Sequence, residues 1–360
     1  MVKVFVSGCF DVLHAGHLRF FEDARAHGDH LTVSVASAES LWRHKQRKPS
    51  IPDDHKQELI GSLRMVDEVV LGEGGELGLD FEQHFRRVQP QVLVINEGDP
   101  YHSSKSRLCD ETGCRLVVLG KSAAGNGDVS SSSIARLMRA PEEAPLRVDF
   151  AGGWLDVPRY AQPGTWIVNM AISPLVSLRS WPYEKNAGLG GSGAWALLNG
   201  HDGCQSEIDL GVGWQDPAVI RETGLCIWQS GPRPVLELKT RGEFLNGCMA
   251  LLWTGKPHDT PGIAALDRDF EAIARAGAIA RAAVKLGDLA LLAESVRASY
   301  RAQLGEGMDA LDLPAGALAA KYCGGGHGGY AVVLFSNSTH RDAAVNALPD
   351  YRAVEPFCRS

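Results

Sequence analysis

The sequence predicts an α/β chain of two domains, a doubly wound parallel sheet followed by an α+β domain. Three observations predict it. Short β-branched runs recur through the first third, at 2–6, 31–36, 68–71, 92–95 and 116–119, with helical spacings between them, such as Leu18, Phe21 and Ala24 or Leu59 and Leu63. Such alternation calls for a parallel sheet covered on both faces, with ligands at the carboxyl ends of its strands. The pattern then stops at RAPEEAP, 139–145, where two prolines and two glutamates set a linker between domains at 1–138 and 146–360. Beyond it, glycine-rich stretches at 188–193 and 324–329 flank an Ala- and Leu-rich helical region over 267–305, broken near Gly287. A chain of 360 residues also exceeds what one hydrophobic core organises.

Composition excludes several classes. Hydrophobic residues at 44% and charged residues at 22% are ordinary globular usage, unlike a disordered chain or a fibre. A net charge of -7 argues against a nucleic-acid or membrane-surface partner. No apolar run approaches the roughly 18 residues of a membrane span. The N-terminus enters the strand-like VKVFV rather than a signal-peptide core, so a cytoplasmic location is expected. Eight cysteines, from Cys9 to Cys358, lack CxxC spacing and are expected as reduced thiols.

Directly after the first strand run stands GCFDVLHAGH, 8–17, and a helical pattern begins at once. Gly8 allows a tight turn beneath a nucleotide, while His14 and His17 lie one helical turn apart at a helix N-terminus, where backbone N–H groups favour phosphate. Two imidazoles and a helix end can stabilise charge on an α-phosphate and its leaving pyrophosphate without a covalent intermediate. The string resembles the HxGH nucleotidylyltransferases, which include glycerol-3-phosphate and phosphocholine cytidylyltransferases and the heptose adenylyltransferases. The similarity runs through 1–138 and includes KPSIPDDHKQELIGSLRMVDEVV, NEGD at 96–99 and SSSSI at 130–134.

That resemblance implies a nucleotide held by Gly8, Phe10, Asp11 and Gly16, and a triphosphate held at a late helix opened by Ser131, Ser132 and Ser133. Lys45 matches a lysine that approaches the phosphates, and Asp99 a substrate-side or base-side contact; a solvated loop and a loop-capping aspartate are the plainer alternatives. The family usually has an arginine where this chain has His55, Lys56 and Gln57.

The second half contains LRVDFAGGWLDVP at 146–158, NAGLGGSGA at 186–194, GWQD at 213–216 and KYCGGGHGGY at 321–330. A glycine loop running into a helix N-terminus presents consecutive N–H donors to phosphates, and Ser192 can add an oxygen ligand for magnesium. In that order the segments resemble the GHMP sugar kinases, with starts similar to those of fucokinase and the heptose kinases. By the resemblance Asp216 accepts the proton of the attacking sugar hydroxyl and Arg147 stabilises the reacting groups. Gly188, Gly190, Gly191, Ser192 and Gly193 cradle ATP phosphates, with Ser192 and Glu207 near Mg2+. Asp156 touches sugar hydroxyls, or caps a turn before Pro158, and Gly325 and Gly326 bring backbone close to the site. Only residues 159–185 separate the first two segments, where the family interposes several strands.

Together the two resemblances imply a kinase that phosphorylates a sugar and a nucleotidylyltransferase that converts the sugar phosphate to an NDP-sugar, using Mg2+, ATP and a second NTP (ATP or CTP), for cell-surface glycan synthesis. The partners expected are a sugar or sugar phosphate and nucleotides, with neither nucleic acid nor membrane. Exposed strands in a shortened second domain would make a homodimer unsurprising. Two alternatives stay open at this point: a nucleotidylyltransferase carrying a degenerate, non-catalytic kinase domain, and a non-catalytic nucleotide or sugar sensor.

Overall fold

A computed structural model describes residues 1–45, 48–120, 130–184, 186–257 and 268–359, without the side chains of residues 44 and 45. The chain forms two compact units, Met1–Met138 and Arg139–Ser360. Of residues 139–145, Arg139 ends a helix while Ala144 and Pro145 open a strand.

The first unit alternates strand and helix. In order it contains β1 (Lys3–Gly8), α1 (Ala15–Arg25), β2 (His30–Ala36), α2 (Ala38–Lys45), α3 (Asp53–Gly61), β3 (Glu68–Gly72), α4 (Glu82–Val88), β4 (Val92–Asn96), α5 (His102–Thr112), β5 (Arg115–Leu119) and α6 (Ser131–Arg139). The five strands pair in parallel in the order β3-β2-β1-β4-β5. Strand order reverses between β1 and β4, which opens a crevice at their carboxyl ends. Separate apolar clusters cover the two faces, one with Val4, Val6 and Phe21, the other with Phe5, Phe81 and Phe85.

Each predicted strand run is found as a strand, whereas one helix face differs from expectation. Leu59 is exposed on α3, and Lys56 and Ile60 turn inward instead. The Lys56 ammonium donates to the Ala36 carbonyl at 3.0 Å and pairs with Asp53 at 2.8 Å, which compensates its burial. A buried lysine thus stands at the carboxyl end of β2, within the stretch where the resemblance leads one to expect an arginine.

The second unit is α+β. It contains β6 (Ala144–Ala151), β7 (Trp166–Val176), α7 (Gly191–Leu198), α8 (Gly203–Asp209), α9 (Gln215–Glu222), β8 (Leu225–Gln229), β9 (Val235–Thr240) and β10 (Met249–Trp253). There follow α10 (Phe270–Leu286), α11 (Leu289–Gly305), β11 (Ala317–Tyr322), β12 (Tyr330–Phe335), α12 (Ser338–Ala347) and β13 (Tyr351–Pro356). The sheet runs β11-β12-β10-β13-β7-β8-β9, with β6 paired to β7. The long helical region divides where expected: Gly287, left-handed at φ 66, ends α10, and the Asp288 carboxylate caps α11 through the Leu291 N–H at 3.0 Å. Its expected first residue, 267, lies outside the described residues.

Candidate active sites

In the first unit the site forms at the switch between β1 and β4. After β1 the chain turns through Phe10, whose φ of 40° is rare for an aromatic residue. The ring folds back over Gly8, where a Cβ would stand 2.7 Å from Phe10 Cζ, so only glycine fits. Phe10 then supports His17 edge-on, with ring centroids 5.2 Å apart, and packs on Phe21 at 4.9 Å.

His14 is the N-cap of α1, and its Nδ1 accepts the Gly16 N–H at 3.2 Å. Burial lowers its pKa below the ordinary 6.5, which favours the neutral ring that this bond requires. With Nδ1 accepting, the proton resides on Nε2. His14 and His17 stack with centroids 3.9 Å apart, so the two imidazoles form one unit at the start of the helix. Gly16 leaves the space: a Cβ there would lie 3.0 Å from His14 Cε1 and Nδ1.

The serine segment reaches the same loop. Ser131 Oγ donates to the Val12 carbonyl at 2.9 Å, tying the N-terminus of α6 to the turn before His14. Ser130 and Ser133 cap each other, the Ser133 N–H on Ser130 Oγ at 3.1 Å and the Ser130 N–H on Ser133 Oγ at 2.9 Å. Two of the three nominated hydroxyls therefore build the helix end, while Ser132 is exposed on it. In the first turn of α1 the Gly16 and His17 N–H groups donate to His14, and in that of α6 the Ser133 N–H donates to Ser130, so it is chiefly the positive ends of the two helix dipoles that suit phosphate oxygens.

Two nominated aspartates are taken by the protein. Asp11 is 0% exposed, and its oxygens accept the Ser50 N–H at 2.7 Å and the Ser50 hydroxyl at 2.9 Å, so it anchors the segment before α3. Asp99 accepts the Tyr101 N–H and the ammonium of buried Lys105, each at 2.8 Å, which makes it a loop cap. Lys45 ends α2, and its side chain lies outside the described residues.

In the second unit the site centres on Arg147 of β6. Its Nε and one terminal nitrogen grip the two oxygens of Asp216, each at 2.6 Å, in a bidentate fork. Its other terminal nitrogen donates to the Gly188 carbonyl at 2.7 Å and reaches Asp149 at 3.4 Å. Asp149 also accepts the Gly324 N–H at 2.9 Å and pairs with Lys321. Burial opposes the charge on Asp149, but Lys321 and Arg147 hold its carboxyl below the usual range. Arg147 thus orients Asp216 rather than standing free to meet a substrate.

The glycine stretch expected to cradle phosphates borders this pair. Gly190, at φ 74, precedes α7, and a Cβ on it would meet Arg147 Cγ at 3.1 Å and Asp216 Cβ at 3.3 Å. Gly193 allows α7 to cross α9 closely, since a Cβ would sit 2.9 Å from Pro217 backbone. Gly191, Ser192 and Gly193 form the first turn of α7 beside Asp216. Ser192 Oγ donates to Glu207 Oε1 at 2.6 Å, and burial above all raises the Glu207 pKa. A hydroxyl and a carboxylate beside this glycine stretch are a donor set that fits Mg2+, which takes few protein oxygens and completes its shell with other oxygen ligands and water.

Asp156 faces inward, at 1% exposure, and accepts the Gln215 N–H at 3.1 Å and the Gln215 side-chain amide at 3.2 Å. It secures the start of α9, and thereby Asp216, instead of presenting oxygens to a sugar. Burial pushes its pKa up to about 7, with the Asp216 and Asp149 charges adding to the effect. Gly326 packs on Met308, and Gly324, one residue before Gly325, approaches the Gly188 carbonyl and Arg147. The last glycine stretch therefore supports the first one. Sequence reasoning missed Asp149, Lys321 and Gln215 as members of this centre. The available signal was two charges two residues apart, Arg147 and Asp149, on an otherwise apolar strand.

Comparison with known proteins places the first unit. The profile of a family described as cytidylyltransferase-like matches residues 5–134. An FAD synthase from Methanocella arvoryzae is 33% identical over 135 residues, 37% of this chain and 92% of the relative. One from Pyrococcus horikoshii is 38% identical over 94 residues, 26% of this chain, and the match spans 62% of that relative's length. Through its first unit the chain belongs to the cytidylyltransferase-like nucleotidyltransferases. Among solved structures, a D-glycero-D-manno-heptose 1-phosphate kinase from Bacteriodes thetaiotaomicron is 17% identical at a TM-score of 0.43, over 59% of this chain and 96% of its own. No helix among the described residues is long and apolar enough to cross a membrane.

Proposed function

We infer that the chain is a bifunctional sugar kinase and sugar-phosphate nucleotidylyltransferase. The second unit moves the γ-phosphoryl group of ATP to a sugar hydroxyl, and the first unit joins a nucleoside monophosphate from a second NTP to that phosphate, releasing pyrophosphate. One observation carries the pairing: a His14–His17 stack at the start of α1 shares a chain with an Asp216 carboxylate that abuts the glycine cradle of α7.

In the nucleotidyl step, the Nε2–H of His14, the His17 ring and the N-termini of α1 and α6 converge on one crevice. They stabilise charge growing on the α-phosphate and the departing pyrophosphate. In the kinase step, Asp216 lies 23% exposed in the Arg147 fork and accepts the hydroxyl proton as the oxygen attacks phosphorus in line. The N–H groups of Gly191, Ser192 and Gly193 hold phosphate oxygens. Ser192 and Glu207 would hold Mg2+, which neutralises phosphate charge when bound.

A second acceptor class is favoured by the names of the relatives: FAD formation joins AMP to a flavin phosphate, so a flavin phosphate is the competing substrate of the first unit. The test is mass spectrometry of products from the full chain with Mg2+, each of ATP, CTP, GTP and UTP, and either free sugars or FMN. Accumulation of an NDP-sugar from a free sugar supports the two-step assignment. A flavin dinucleotide without any NDP-sugar replaces it. A sugar phosphate that is never converted with any nucleotide refutes the coupling of the steps.

A further inference from the structure

Four charged side chains form a continuous buried chain in the second unit: Asp216, Arg147, Asp149 and Lys321. Two cations face two carboxylates, so the set is neutral. Side-chain exposure is 2% for Arg147 and Asp149, 4% for Lys321 and 23% for Asp216. Only the residue assigned to proton acceptance reaches the surface. Asp149 uses both oxygens, one on the Gly324 N–H at 2.9 Å and Arg147 at 3.4 Å, the other on Lys321. The Lys321 ammonium also donates to the Asp149 carbonyl at 3.1 Å, so it is fixed to one residue through two oxygens.

Strand pairing does not produce this contact. β6 pairs with β7, whereas β11 forms the far edge of the sheet beside β12, so the Asp149–Lys321 pair is a tertiary tie across 172 positions. Nor is stability a sufficient reason for it, because a buried ion pair is often matched or bettered by apolar residues of the same volume. What the pair does supply is geometry. It binds the Gly324–Gly329 stretch, through Gly324, to the guanidinium that orients Asp216, and Arg147 in turn binds the Gly188 carbonyl at the entrance to the phosphate cradle.

We propose that Asp149 and Lys321 are positioning residues for phosphoryl transfer: their ion pair docks the last glycine stretch on Arg147 and fixes the direction of the Arg147 fork, and so of Asp216. The inference rests on the kinase assignment made above. With Asp149 gone, Arg147 keeps Asp216 and the Gly188 carbonyl, but the nitrogen on that carbonyl loses its second, anionic partner and the Gly324 N–H loses its acceptor. Asp216 can then pivot with the guanidinium while the cradle stays in place. The loss should fall on kcat more than on the KM for ATP, since misplacement of a reacting group by about 1 Å costs on the order of a hundredfold in rate.

The experiment uses the full chain and the sugar that gives the fastest ADP release. The double variant Asp149→Leu/Lys321→Met removes both charges and keeps volume, so the fold should persist. The expected result is a thermal midpoint lower by no more than several degrees, for the Gly324 N–H left without its acceptor, unchanged pyrophosphate release by the first unit, an ATP KM within about twofold, and a kcat for sugar-dependent ADP release lower by about 10- to 100-fold. A folded double variant whose kcat stays within twofold of wild type overturns the proposal. Should the double variant not fold, Lys321→Arg keeps the charge but displaces it; a lower kcat at constant ATP KM supports the proposal, and an unchanged kcat overturns it. Wild-type chain that releases no ADP with any sugar or sugar phosphate removes the kinase assignment itself, and with it the role inferred here. That outcome is read from the wild type alone and is separate from any result on the variants.

Discussion

Replacing Gly16 by alanine should damage nucleotidyl transfer while leaving the first unit folded. The added Cβ would stand 3.0 Å from His14 Cε1 and Nδ1. Carbon contacts relax to about 3.5–4.0 Å, so the ring must retreat by roughly 0.5 Å or more. The Gly16 N–H to Nδ1 bond is already 3.2 Å long and is lost by that retreat. Losing the cap costs about 1 kcal/mol. Alanine in place of glycine inside the helix returns up to about 1 kcal/mol. The two terms offset, and the thermal midpoint should move by no more than a few degrees. Catalysis has no such offset. A displacement approaching 1 Å at a group that must meet a phosphate costs on the order of 10- to 100-fold in the chemical step. Single-turnover pyrophosphate release, with the acceptor identified by the product analysis above, measures that step, and a thermal melt measures the fold. A variant running at the wild-type rate would refute the claim that His14 acts from its present position. A midpoint lower by ten degrees would show that Gly16 serves the fold instead.

Two further perturbations separate chemistry from architecture in the second unit. Asp216→Asn cannot take a proton and turns an amide N–H2 against the buried Arg147 fork, so sugar-dependent ADP release should fall by about 100-fold or more and the thermal midpoint should fall with it; unchanged turnover would remove Asp216 from the reaction. Asp156→Asn concerns stability against pH. A folded pKa near 7 lies above the ordinary aspartate value of 3.8, so the folded state binds the proton more tightly than the unfolded chain. The resulting stabilisation is complete below about pH 4 and is lost as pH rises through 7, with a limit on the order of 4 kcal/mol. Asparagine cannot ionise, so the variant should gain stability relative to wild type between pH 5 and 8. Parallel denaturation curves for the two proteins across that range would contradict the assignment.

The strands of the first unit were legible because a doubly covered parallel sheet demands runs apolar on both faces, and Val4, Val33 and Val94 sit in such runs. The histidine pair was legible because its chemistry is local: cap, spacing and glycine all fall within ten residues. The aspartates were not. Asp11 meets Ser50 across 39 positions and Asp156 meets Gln215 across 59, and no local pattern states whether a loop carboxylate turns toward a ligand or toward such a partner. α3 failed for the same reason. Its leucine spacing suggested a face containing Leu59, but the Ala36 carbonyl and Asp53 made a pocket for the Lys56 ammonium, and the helix turned accordingly.

The two sites solve one problem with different materials. Each needs a side chain held still beside a helix N-terminus. In the first unit the restraint is aromatic and neutral: Phe10 supports His17, His17 stacks on His14, and the Gly16 N–H fixes the His14 tautomer. A neutral ring can deliver a hydrogen bond to a phosphate without carrying a buried charge that the fold would have to compensate. In the second unit the held group is itself a carboxylate, and no apolar neighbour could restrain it without raising its pKa. Arg147 restrains it by charge, which creates a buried cation, and Asp149 with Lys321 extends and closes the neutral set. Length of the network therefore follows from the chemistry of its one partly exposed member. The imidazole pair lies within ten contiguous residues, whereas the Asp216 network joins residues of β6, α9 and β11, so its partners stand 69 and 172 positions apart and no local pattern groups them.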